Sequence, residues 1–140
     1  TSTVLDALDR ALTVVEPGTS VEGELLARRV QARSEARDVD GALADADRYL
    51  RSGQRSRIVE VQRTASRIAL TTRGCAAAAP YLEALVTDGS AEDHVMLASC
   101  VAATDQDRAR ALAREGLAPD AVVDPGWAAW AAAFVQEGSR

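Results

Sequence analysis

The chain has 140 residues, 47% of them hydrophobic but only 4% aromatic, with 26% charged and a formal net charge of −5. One domain of this length buries a core unaided, no run nears the roughly 20 apolar residues of a membrane span, and a pI of about 4.9 has the wrong sign for nucleic acid. Four prolines and nine glycines, placed singly or in short pairs, also exclude a disordered chain and a Gly/Pro-rich all-β fold.

The elements, taken in chain order, are helical. Val4, Leu5, Leu8, Ala11, Leu12 and Val15 follow i, i+3, i+4, i+7 spacing, with Ser2 or Thr3 as N-cap. Pro17-Gly18 stops that helix, and Thr19 or Ser20 caps a second with Glu22 and Glu24 in its first turn, where the dipole favours acid. This second helix carries Leu25, Leu26 and Val30 to about Arg37, and Asp38-Val39-Asp40-Gly41 breaks it. A third holds Ala42, Leu43, Ala46, Tyr49 and Leu50 and closes at Ser52-Gly53. The fourth, from Ser56 to Thr72, places Ile58, Val61, Ala65, Ile68 and Ala69 on one face, and Gly74 ends it. A fifth holds Ala77, Ala78, Tyr81, Leu82 and Leu85, with Pro80 tolerated only in its first turn. After the turn Asp88-Gly89-Ser90, Ser90 and Asp93 form a capping box for a sixth helix bearing Val95, Leu97, Cys100 and Val101. A seventh starts at Thr104 or Asp105 and runs through Ala109, Leu112 and Ala113 to Gly116. Pro119 and Asp124-Pro125-Gly126 lead to a last helix with Trp127, Trp130, Ala131 and Phe134 on one side. No segment alternates as a strand does, so the class is all-α.

Other features give context. All sixteen basic residues are Arg, and Lys and Asn are absent. With the Ala richness this is the codon signature of a high-GC bacterial genome such as an actinobacterium's. The chain begins at Thr1, which reads as a processed protein or a piece of a larger one. Cys75 and Cys100 lack metal spacing and are too few for a disulfide framework, so they read as buried free thiols in a reducing cytoplasm.

Helix starts near residues 20, 54 and 90 suggest a repeat. The second helix of each pair carries a small residue followed eight positions later by Leu: Ala42 with Leu50, Ala77 with Leu85, Ala109 with Leu117. A short side chain lets two antiparallel helices approach, and the Leu fills the gap between repeats. Through these residues, and most clearly through Asp38-Val39-Asp40-Gly41-Ala42-Leu43-Ala44-Asp45-Ala46-Asp47-Arg48-Tyr49-Leu50, the chain resembles the tetratricopeptide-repeat family over about residues 23–123. It departs from that family in having Val30, Ala65 and Leu97 where the first helix usually carries Gly. The resemblance implies an α-solenoid of about three antiparallel helical hairpins at 20–118, capped by helices at 1–18 and 124–138, all in one domain spanning 1–140.

Charge is uneven. Residues 28–73 hold eleven Arg against six acids, although the chain as a whole is acidic. In a solenoid, Arg28, Arg29, Arg33 and Arg37 of one helix would meet Arg63, Arg67 and Arg73 of another on the concave face. Guanidinium forks there would clamp an acidic peptide or a phosphorylated segment; the bland alternative is a solvated face with partners such as Glu60 for Arg63 or Arg67. Trp127 and Trp130 would cover the last repeat or form a dimer surface. Asp38, Asp40, Asp45 and Asp47 do not make a calcium loop, because Gly41 falls at position 4 and Tyr49 at position 12; helix capping explains them. His94 is the only histidine, and no nucleophile elbow, phosphate loop or metal-ligand motif accompanies it.

The sequence therefore predicts a protein–protein interaction module rather than an enzyme, with no cofactor or metal. Its contact residues would be Arg29, Arg33, Arg37, Arg63, Arg67, Trp127 and Trp130. The partner would be an acidic peptide or protein surface, not nucleic acid or membrane. The alternatives are a helical-bundle enzyme or small-molecule site near His94, and a dimerisation domain built on the Trp helix.

Overall fold

The computed structural model describes residues 2–87 and 89–137, Ser2 by its backbone alone. The Ser2 hydroxyl and Asp88, expected in a cap and a turn, lie outside what is described. Among the described residues there are eight helices and no strand: α1 (Ser2–Val14), α2 (Ser20–Glu35), α3 (Val39–Arg51), α4 (Ile58–Arg73), α5 (Cys75–Leu85), α6 (Ala91–Val101), α7 (Gln106–Glu115) and α8 (Pro125–Glu137). The chain is all-α. None of these helices is long and apolar enough to cross a membrane. The chain divides into two compact units, Thr1–Ala78 and Ala79–Arg140, with the boundary inside α5.

In the first unit α2 packs on α1, α3 and α4, and α3 packs on α4. The apolar stripes read from the sequence meet here: Leu26, Val30, Ala42, Ala46, Tyr49, Val61, Ala65 and Ala69 are buried. Five of these eight are Ala or Val, so the backbones approach closely and the core is thin. By contrast α1 packs only on α2 and buries just Leu8 and Leu12.

The caps form where the sequence placed them. Thr19 accepts the Glu22 N–H, and Asp38 accepts the Gly41 N–H. The end of α2 differs from expectation. Its break is at Arg37, in the left-handed region at φ 65°, with Asp38 N–H reaching back to the Arg33 carbonyl and Arg37 N–H to that of Ser34. That pattern is a Schellman ending, in which Gly is the usual left-handed residue. Gly41, expected in the break, is instead the third residue of α3. A Cβ there would fall 2.2 Å from Asp38 Oδ2 and 2.9 Å from Arg33 Cδ, so the bare position is what admits both side chains.

In the second unit α6, α7 and α8 pack on one another pairwise. Ser90 and Asp93 complete the expected capping box, and Asp105 caps α7 by accepting the Arg108 N–H. A Cβ on Gly116 would stand 2.1 Å from Val95 Cγ2, so glycine lets the end of α7 lie against α6.

Several expectations are corrected. Pro80 lies at the sixth position of α5, beyond the first turn, and leaves the Ala76 carbonyl without its helical donor. Helix starts at Ser20, Ile58 and Ala91 do not keep the near-even spacing read from the sequence. The repeated phrase also diverges: Ala42 and Ala109 are fully buried, whereas at the fifth helix Ala78 is buried in place of Ala77, and Leu117 is 40% exposed. Neither cysteine is a free thiol or fully buried; Cys75 and Cys100 are both disulfide-bonded.

The left-handed Arg37 yields a stability prediction. Arg37→Gly removes a backbone penalty of about 1–2 kcal/mol and adds less than that in unfolded-chain entropy. Urea unfolding followed by circular dichroism should show a gain of about 0.5–1 kcal/mol.

Candidate functional site

The chemistry-bearing residues of the first unit gather on α2. Arg28 and Arg29 are neighbours in sequence, so their side chains leave the helix about 100° apart. Arg29 turns toward α3. Its Nε and Nη2 donate to Asp45 Oδ2 and Oδ1 at 2.9 and 2.8 Å, and its Nη1 donates to Asp9 of α1 at 2.9 Å. Arg33, one turn on, donates from Nη1 to the same Asp45 Oδ2 at 3.0 Å and lies 3.6 Å from Asp38. One buried carboxylate thus holds two guanidinium groups. Hydrogen bonding to Asp45, then to Asp9, raises the Arg29 pKa above its ordinary value, so this guanidinium stays charged.

A second buried acid lies nearer the start of α2. Glu22 accepts the Gly18 N–H at 3.0 Å and an Arg48 Nη2 proton at 2.7 Å. These two bonds, the backbone one foremost, hold its carboxyl below the usual range despite burial. Next along α3, the Tyr49 hydroxyl accepts the Arg57 N–H at 2.7 Å, which ties the loop before α4 to the core. Arg57 in turn forks onto Glu24 and reaches Glu60 at 3.1 Å. Glu60 therefore pairs with Arg57 rather than with the Arg63 or Arg67 expected from the sequence.

Arg28 faces the other way. It lines an open groove of about 580 Å³ between α1, α2 and α4. The walls are apolar: Val4, Ala7, Leu8 and Ala11 of α1 face Leu25 and Ala32 of α2. Gln31, Glu35 and Glu60 complete the lining. Val4 is 55% exposed and Leu25 half-buried, so apolar surface is left to solvent along both walls. Arg28 is 67% exposed, and its nearest acid, Glu24, stands 3.8 Å away and is already held by Arg57.

The seven residues predicted as contacts fall into separate places. Arg29 and Arg33 converge, but on Asp45 and not on solvent. Exposed Arg37 and half-buried Arg67 line a smaller open groove with Ser34, Val39, Thr71 and Thr72. Arg63 lines another with Arg55 and Arg57. Trp127 and Trp130 meet edge to face at 6.4 Å, and Trp130 stacks on Phe134 at 5.0 Å, all three half-buried in the second unit. His94 keeps Nδ1 2.8 Å from the Ser90 carbonyl oxygen beside its own helix start. Among the described residues no cluster of His, Cys, Asp and Glu could hold a metal ion.

Sequence reasoning missed Asp45 and Glu22. A signal for Asp45 existed: it shares the i, i+3, i+4, i+7 face with Ala42, Ala46 and Tyr49, an apolar face where an acid must find cations. The i, i+4 pair Arg29 and Arg33 was the matching half. Comparison of the chain with protein-family models, curated proteins and solved structures gave no match.

Two predictions follow from these acids. Asp45→Ala strands two guanidinium groups, and urea unfolding should register a loss of about 3 kcal/mol, the low end for a buried pair because both arginines keep some solvent. Asp45→Asn keeps the volume and one acceptor oxygen and should cost less. Glu22 has a depressed pKa, so its contribution is complete above its ordinary 4.5 and is lost as pH falls through the lower folded value. Thermal midpoints of wild type and Glu22→Gln should therefore differ at neutral pH and converge in acid.

Proposed function

We propose that this chain is a tetratricopeptide-like interaction module, a solenoid of helical hairpins that takes a helical segment of a partner protein in the groove between α1, α2 and α4. The observation that carries the reading is that groove. It pairs an apolar i, i+3, i+4, i+7 stripe on α1 with Leu25 and Ala32 on α2 and leaves both walls open to water. Such a trough suits the apolar face of an amphipathic helix. The pairwise packing of α2, α3 and α4, and again of α6, α7 and α8, supports helical hairpins as the building unit. Because Arg29 and Arg33 are spent on Asp45, the partner's main contact is apolar, with charge at the rim.

A second reading has its own observation. Between Asp124 and Glu137 the chain carries no charge, yet of α8 only Ala131 is buried. A helix apolar on all sides and half open to water favours self-association through the Trp127, Trp130 and Phe134 row.

Selection of a displayed library of helical peptides against the folded chain tests the first reading. Enriched sequences should carry apolar residues at i, i+3 or i+4, and i+7, and should lose binding to Leu25→Arg and Ala11→Arg variants of unchanged circular dichroism. Enriched peptides that bind both variants as well as wild type would place recognition elsewhere.

A further inference from the structure

The rim of the α1–α2–α4 groove specifies more than an apolar face. Two of its charged groups lack a close ion partner, and they have opposite sign. Arg28 has only the 3.8 Å approach to Glu24, a carboxylate that Arg57 already binds. Glu35 is exposed, accepts a hydrogen bond from the Gln31 amide at 3.1 Å, and has no ion pair among the described residues. The third, Glu60, is neutralised by Arg57 at 3.1 Å.

Arg28 and Glu35 are seven residues apart on one helix, so they stand two turns, or about 10 Å, apart along the groove wall. A ligand helix lying along α2 repeats its own face at the same interval. A single ligand flank can therefore present one charge to each. Groups left partly solvated at a rim add little to affinity but discriminate strongly by sign, since a like charge placed opposite repels and a missing one leaves the rim unpaired.

We infer that the groove's partner is an amphipathic helix carrying an acid and a base seven residues apart on one flank of its apolar face. The acid sits opposite Arg28 and the base opposite Glu35, so the order of the two charges in the ligand sets its direction. An acid followed by a base runs parallel to α2, and the reverse order runs antiparallel. This rests on the groove reading above, and it replaces a uniformly acidic peptide with a zwitterionic one. A doubly acidic helix would satisfy Arg28 and be repelled at Glu35.

The test uses three fluorescein-labelled synthetic helical peptides of about 16 residues with one shared apolar stripe. Their flank positions i and i+7 carry Asp/Lys, Asp/Asp or Lys/Lys, and affinities are read by fluorescence anisotropy at low and high salt. The Asp/Lys peptide should bind wild type about three- to tenfold tighter than either like-charged peptide, with the gap closing at high salt. Arg28→Glu, a change at an exposed position, should transfer the preference to Lys/Lys. Equal affinities for all three, with binding still lost in Leu25→Arg, would overturn the charge pattern and leave the groove reading standing. Tightest binding by Asp/Asp would also overturn it. Failure of every peptide to bind wild type would remove both the inference and the groove reading.

Discussion

A carboxylate almost out of water holds the first unit in register. Asp45 lies on the buried face of α3, between the alanines that let α2 and α3 approach. Small side chains interlock poorly, so an Ala-rich contact offers little resistance to sliding by a turn. The fork from Arg29 and the second bond from Arg33 do resist it, because each has a fixed direction. Removing the charges from solvent costs much of what the pairing returns. What remains is geometric: α2 can lie against α3 in the one alignment that satisfies all three groups. Asp9 brings α1 into the same arrangement through the last free Arg29 nitrogen.

That hub also decides what α2 presents outward. With Arg29 and Arg33 committed to α3, the groove side of α2 shows Leu25, Arg28, Gln31, Ala32 and Glu35. An arginine-rich helix thus exposes a mixed, half-apolar strip rather than a cationic one. The local excess of positive charge between residues 28 and 73 is largely absorbed within the protein, by Asp9, Glu22, Glu24, Asp40, Asp45 and Glu60.

The helices and most of their caps were legible in the sequence because both are local. Period 3.6 needs only near neighbours, and Thr19, Asp38, Ser90 and Asp105 each cap a donor three residues away. What was not legible depends on contacts distant in sequence. Asp45 reads as one more exposed acid until α2 is laid against it. Gly41 reads as a breaker until the Asp38 and Arg33 side chains are seen to need its space. Arg37 ends α2 without the glycine that would have announced it. The even repeat fails for the same reason: the phrase shared by Ala42, Ala77 and Ala109 is a pattern of composition, and burial follows it at two of the three. Of the candidate contacts, the sequence located the arginines but not which way each would turn.

The placement of the aromatic residues has an optical consequence. Both tryptophans lie in α8, and the first unit contains no tryptophan at all, only the buried Tyr49. Emission excited at the red edge, where tyrosine is silent, therefore comes solely from the second unit. In Trp130 it comes from an indole stacked on Phe134 and edge-on to Trp127, whose separation on melting would alter both intensity and wavelength. Far-ultraviolet dichroism sums over all eight helices. The protein thus carries its own means of following the two units separately, with no label attached.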